Sequence, residues 1–154
     1  MVGMDSEVRW LSTREEQLWR GWLKLNAELA SSLQRELQQD VGLSMPDFEV
    51  LVHLTDNPEG RVRVTELAGL LQWERSRVSH HVKRMERRGL VERVECSMDG
   101  RGAFVVITPQ GRAAIEEAAP GHVMAVRRLM FDVLSEEDKA ALAAVIDKLL
   151  AHGG

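Results

Sequence analysis

The chain has 154 residues, a formal net charge of −4, and 44% hydrophobic against 29% charged residues, a balance that fits about one globular domain able to bury a core. A single cysteine, Cys96, excludes an internal disulfide framework and fits a reducing compartment. No apolar run approaches the ~20 residues of a membrane span, and MVGMDSEVRW lacks an apolar export core, so a cytoplasmic protein is expected. In chain order, residues 13–40 are predicted to form one long helix opened by a Thr13–Glu16 capping box. Its Leu18, Trp22, Leu25, Leu29, Leu33 and Leu37 recur at steps of four and three, a seam that lies against other helices. Residues 64–71, VTELAGLL, read as a short helix with Thr65 as N-cap, broken at Gln72, Trp73 and Glu74. A basic helix follows to Arg88, with Gly89 as its C′ residue. LVERVEC (90–96) alternates like a strand, SMDGRG (97–102) carries an Asp-Gly turn, and AFVVIT (103–108) returns. Residues 109–134 are predicted helical, with Pro109 in the first turn and a kink at Pro120-Gly121. Ser135 and Asp138 then form a second capping box, ahead of an apolar face of Leu142, Val145, Ile146, Leu149 and Leu150.

The charge is distributed unevenly. Residues 75–88 carry Arg75, Arg77, Lys83, Arg84, Arg87 and Arg88 against Glu86, a net of +5 that leaves −9 for the rest of the chain. At about 100° per residue, Val78, Val82 and Met85 share one face of that helix. Ser76, Arg77, His80, Lys83, Arg84, Arg87 and Arg88 fall on the other. A helix that buries one side and offers cations and hydrogen bonds on the other suits a polyanion, while an acidic body discourages indiscriminate binding. Helix, tight turn, helix and hairpin together describe a winged helix-turn-helix, mainly α with a small β-hairpin wing. Arg101 sits at the wing tip, within reach of a minor groove.

These pieces resemble the MarR (multiple antibiotic resistance regulator) family of winged-helix transcription factors over nearly the whole chain. The matching stretches are TELAGLL, RVSHHVKRMERRGLVER, the wing DGRG and ITPQGRAAI. The resemblance implies a recognition helix in the major groove of double-stranded DNA, with Ser76, Arg77, His80, His81 and Arg84 as its contact residues. Lys83, Arg87 and Arg88 would hold phosphates, and the wing would use Arg101 buttressed by Asp99. The His80-His81 pair and Trp73 in the turn depart from many relatives. The implied layout is a single unit, 1–154, with residues 44–108 as the DNA-binding lobe and 13–40 and 109–151 as homodimerisation helices. Such a dimer reads a pseudo-palindrome whose half-sites lie about one helical turn apart, roughly 34 Å. Repression is the family's commoner mode.

The remaining conspicuous residues have two readings each. Trp10, Trp19 and Trp22 on or before the first helix, and Trp73 in the turn, are packing residues or part of an effector pocket. In relatives that pocket lies between the first helix, a helix here over roughly Asp47–Thr55, and the DNA-binding lobe. Trp19, Trp22, His53 and Arg75 would line it, for a small aromatic or phenolic effector. Cys96 is an ordinary strand residue or, near Arg93 and Arg101, a redox-responsive thiol. His80 and His81, at successive helix positions, point about 100° apart and chelate poorly, so neither metal nor cofactor is expected. His53 is expected to be half-buried. No nucleophile–base pair or phosphate-cradling glycine loop supports an enzyme. A winged helix that binds protein would lack the cationic face of residues 75–88.

Overall fold

Helix α1 (Thr13–Val41) is started by Ser12, whose Oγ accepts from the Glu15 amide at 3.1 Å while the Glu15 carboxylate accepts from the Ser12 amide at 2.8 Å. The capping box is therefore one residue earlier than the expected Thr13–Glu16. STREE contains both overlapping registers, and the helix uses the first. The computed structural model describes residues 7–95 and 102–153, so Cys96, Asp99 and Arg101 lie outside the described residues. The chain divides into two units, Met1–Ser32 and Leu33–Gly154. In the first, the apolar residues of α1 are open to solvent: Leu18, Trp19, Trp22 and Leu25 are all exposed, as is Trp10 before the helix.

The second unit holds the core. Helix α2 (Met45–Asp56) begins at Ser44, whose Oγ accepts from the Asp47 amide at 3.1 Å, with the Asp47 carboxylate accepting from the Ser44 amide at 3.0 Å. It starts two residues before the expected Asp47. A short strand β1 (Arg61–Arg63) runs straight into α3 (Val64–Leu71), so Arg63 occupies the N-cap position and the expected cap, Thr65, is exposed inside the helix. Burial of Val62 and Val64 on either side fixes this junction. α3 ends at Gln72, held in the left-handed region (φ 57°) with its side-chain amide donating to the Gly69 carbonyl at 2.9 Å. Helix α4 (Arg75–Arg87) follows after Trp73 and Glu74.

α4 ends where expected. Gly89 (φ 76°) donates to the Glu86 carbonyl and Leu90 to the Met85 carbonyl, the paired bonds of a glycine-terminated helix. Strands β2 (Val91–Glu95) and β3 (Ala103–Ile107) pair antiparallel, with Val91 opposite Ile107 and Glu95 opposite Ala103. The expected hairpin is one strand short of the sheet that forms. β1 adds antiparallel to the other edge of β3, giving the order β1-β3-β2. Three residues, RVR, are too few to show alternation, so only the pairing reveals them as a strand.

Val50, Leu51 and Leu54 of α2, Leu67 of α3, Val78, Val82 and Met85 of α4, and Val91 and Val105 of the sheet form the fully buried centre. Helix α5 (Pro109–Leu129) is tied to this centre at its first turn. Thr108 caps it through the Gly111 amide (3.0 Å) and donates its own hydroxyl to the Gly89 carbonyl (2.6 Å). Gly111 passes so near β2 that an added Cβ would lie 2.1 Å from the Leu90 carbonyl oxygen. α5 continues through Pro120 but stops at Leu129, short of the expected residue 134, and gives way to a 3₁₀ turn at Phe131–Val133. Ser135 and Asp138 then cap α6 (Glu136–Gly153) reciprocally at 3.0 Å, as expected. No residue of α6 is buried.

Candidate nucleic-acid interface

The basic face of α4 is created by what its other face buries. Val78 and Met85 are 0% exposed and Val82 1%, so the helix is locked in rotation about its axis. That rotation leaves Arg75, Ser76, Arg77, His80, Lys83, Arg84 and Arg87 exposed. Glu86, the only acid within residues 75–88, is turned away to serve the sheet: its carboxylate accepts from the Arg93 amide at 2.8 Å.

One of the expected DNA-contact residues, His81, is placed inside. His81 is 7% exposed. Its Nε2 lies 2.9 Å from Asp47 Oδ1, off the axis of the ring N–H, and its Nδ1 is 3.1 Å from Arg84 Nη2. One residue beyond exposed His80, it rotates about 100° into the gap beneath α2. Arg88 is exposed and donates to Asp47 Oδ2 at 2.6 Å and to the Gly42 carbonyl at 3.0 Å, bracing the end of α4 against the start of α2.

Asp47 is the group that sequence reasoning missed. It is 3% exposed and faces two α4 side chains as well as the Ser44 amide. Burial pushes its carboxyl up, but the His81 imidazole close beside it, the hydrogen bonds from the Ser44 amide and Arg88, and the Arg88 charge overturn that effect. The net result holds it well below the usual carboxylate range. The available signal was Ser44-Met-Pro-Asp47, a capping box with proline in the first turn.

Trp73 in the turn is half-buried against the core. The Arg77 guanidinium lies over its ring at 3.9 Å, and the indole and the His81 imidazole form a T-shaped pair with centroids 5.5 Å apart at 85°. At the sheet, Arg61 and Arg63 stand over the Phe104 ring at 4.6 and 4.5 Å. His53, on α2, is half-buried, as expected. Trp19 and Trp22 are exposed on the first unit, and Arg75 is exposed at the start of α4. Among the described residues, no cluster of His, Cys, Asp or Glu is placed to hold a metal ion, and no helix is long and apolar enough to cross a membrane.

A short helix, a three-residue turn and a second helix with a cationic outer face, backed by an antiparallel sheet, define a winged helix-turn-helix regulator. The model of the MarR family matches residues 41–102. The crystal structure of Sco3205, a MarR family transcriptional regulator from Streptomyces coelicolor, in complex with DNA, is similar at 38% identity and a TM-score of 0.89, over 97% of this chain and 92% of that one. AbsC, a MarR family transcriptional regulator from the same organism, is 37% identical with a TM-score of 0.88, over 94% and 97% of the two chains. The HTH-type transcriptional repressor YetL of Bacillus subtilis is 29% identical over 96 residues, 62% of this chain and 58% of YetL, so the chain spans less than two thirds of that relative. This chain belongs to the MarR family: it is a DNA-binding transcriptional regulator of the winged helix-turn-helix kind.

Proposed function

We propose that the protein is a homodimeric repressor that sets α4 of each protomer into the major groove of a pseudo-palindromic operator and is released by a small aromatic or phenolic effector. One observation carries the DNA-reading part: six cations and histidines of α4, Arg75, Arg77, His80, Lys83, Arg84 and Arg87, are exposed opposite a stripe that is at most 1% exposed. Arg77, His80 and Arg84, with Ser76, reach base edges, where a bidentate arginine–guanine pair contributes ~1–3 kcal/mol of discrimination. Lys83 and Arg87 neutralise phosphates, and Arg101 of the wing enters the minor groove, the role that the family resemblance implies for it with Asp99 as its buttress.

Dimerisation is supported by apolar surface that one chain leaves uncovered. Val145, Ile146, Leu149 and Leu150 of α6 are exposed, and so are Leu18, Trp22 and Leu25 of α1. Residues 13–40 and 109–151 carry the dimer in this reading, and 44–108 the DNA. A cytoplasmic site of action follows from that role. The repressor assignment takes support from the likeness to YetL.

The test is retardation of the gene's own upstream DNA by the purified protein. The expected result is binding that weakens steeply with salt and loses most of its strength in Arg101→Ala without loss of the dimer. Salicylate-like compounds should quench the exposed tryptophans and dissociate the complex. A monomer indifferent to every duplex at low salt overturns the reading.

A further inference from the structure

Arg77 and Arg84, the two arginines assigned above to base edges, converge on one buried side chain. Arg84 Nη2 lies 3.1 Å from His81 Nδ1. Arg77 reaches the same imidazole through the Trp73 indole, which is stacked by the guanidinium and meets the His81 ring in a T-shaped contact. We propose that His81 is a positioning residue of the DNA-reading surface, holding Arg84 directly and Arg77 through Trp73 in the conformations α4 presents to a duplex. This rests on the reading that those two arginines touch bases.

The hydrogen-bonding inventory fixes the state of the ring. Arginine only donates, so Nδ1 must accept and the ring proton sits on Nε2, toward Asp47. Asp47 Oδ2 is already taken by the Ser44 amide and Arg88, which leaves Oδ1 for His81. The imidazole is thus oriented by a carboxylate that is itself fixed at the start of α2, and the orientation passes outward to two exposed cations. A freely rotating arginine loses rotamer freedom when it binds, which lowers affinity by about two- to tenfold for each such side chain; holding it beforehand recovers that factor for the correct site.

The experiment compares affinity for an operator, selected by the wild-type protein from random duplexes, with affinity for a random-sequence duplex of equal length. His81→Leu should lower the operator-to-random ratio by about tenfold at about pH 8 and leave the random-duplex affinity unchanged. His81→Gln can accept from Arg84 and donate toward Asp47, so it should keep most of the ratio. Circular dichroism confirms folding of each variant. A ratio that folded His81→Gln loses as fully as His81→Leu overturns the inference, as does an undiminished ratio in folded His81→Leu. Arg77→Ala and Arg84→Ala separate the two levels: a loss of ratio there with none in the His81 variants sinks only the positioning role, whereas no loss in the arginine variants removes the base-reading assignment as well.

Discussion

Helices α4 and α6 are both amphipathic, yet the one richer in apolar residues is the one left uncovered. Val78, Val82 and Met85 of α4 are almost completely buried within the chain. α6 carries Leu142, Val145, Ile146, Leu149 and Leu150 and buries none of them. An apolar stripe states that a face is stabilised by burial, at ~1.5–3 kcal/mol for each large side chain, and is silent on whether the covering surface belongs to the same molecule. α4 meets its need inside the lobe. α6 has the same need, and among the described residues Val145, Ile146, Leu149 and Leu150 remain exposed.

Substitutions in the two helices should therefore fail in different ways. The largest effect is expected from Val78→Asp, which puts a carboxylate at a 0% exposed site; a loss of roughly 4 kcal/mol or more should leave the lobe unfolded by circular dichroism. Met85→Ala, at an equally buried position, should lower stability by ~2–5 kcal/mol in a denaturant titration. If either change proved as mild as a surface substitution, the contrast with α6 would be lost. Asp47→Asn should lower stability by roughly 1–3 kcal/mol, because it leaves His81 and Arg88 without their anion.

The same residue sets an acid limit. Its folded carboxyl is held below the ordinary value of ~3.9, so its contribution is complete above that pH and is lost as pH falls from about 4 toward the folded value. The stability gap between wild type and Asp47→Asn should accordingly close on acidification. A gap that stayed constant down to about pH 2 would contradict the pairing.

The matching substitution in α6, Leu149→Glu with Leu150→Glu, should change intrinsic stability least of the apolar changes, since these side chains are 64% and 71% exposed. It should abolish self-association in sedimentation and with it tight operator binding. The smallest effect belongs to Glu59→Ala: its pair with Arg61 is at the surface, where such a contact contributes ~0–1 kcal/mol.

Much of the lobe was legible. The 64–71 helix, the break at Gln72–Glu74, the glycine stop at Gly89 and the 3.6-residue stripe of α4 are local signals, written in residues a few positions apart. Where two local signals competed, the sequence was ambiguous. Ser12 and Thr13 both head a capping pattern, and Thr65 looked a better cap than Arg63 until β1 took the residues before it.

The sequence by itself determined the elements and the cationic face, because periodicity, caps and charge act over one or two turns of helix. Tertiary structure alone decided that β1 joins the sheet and that Asp47 becomes the buried anion. It also decided that His81 turns inward while His80 stays out and that Arg88, 41 residues from Asp47, closes an ion pair with it. Each of these depends on groups distant along the chain being brought within about 3 Å, where a missing partner leaves a buried charge uncompensated. No window of the sequence contains that information, since it exists only once α2 and α4 have packed.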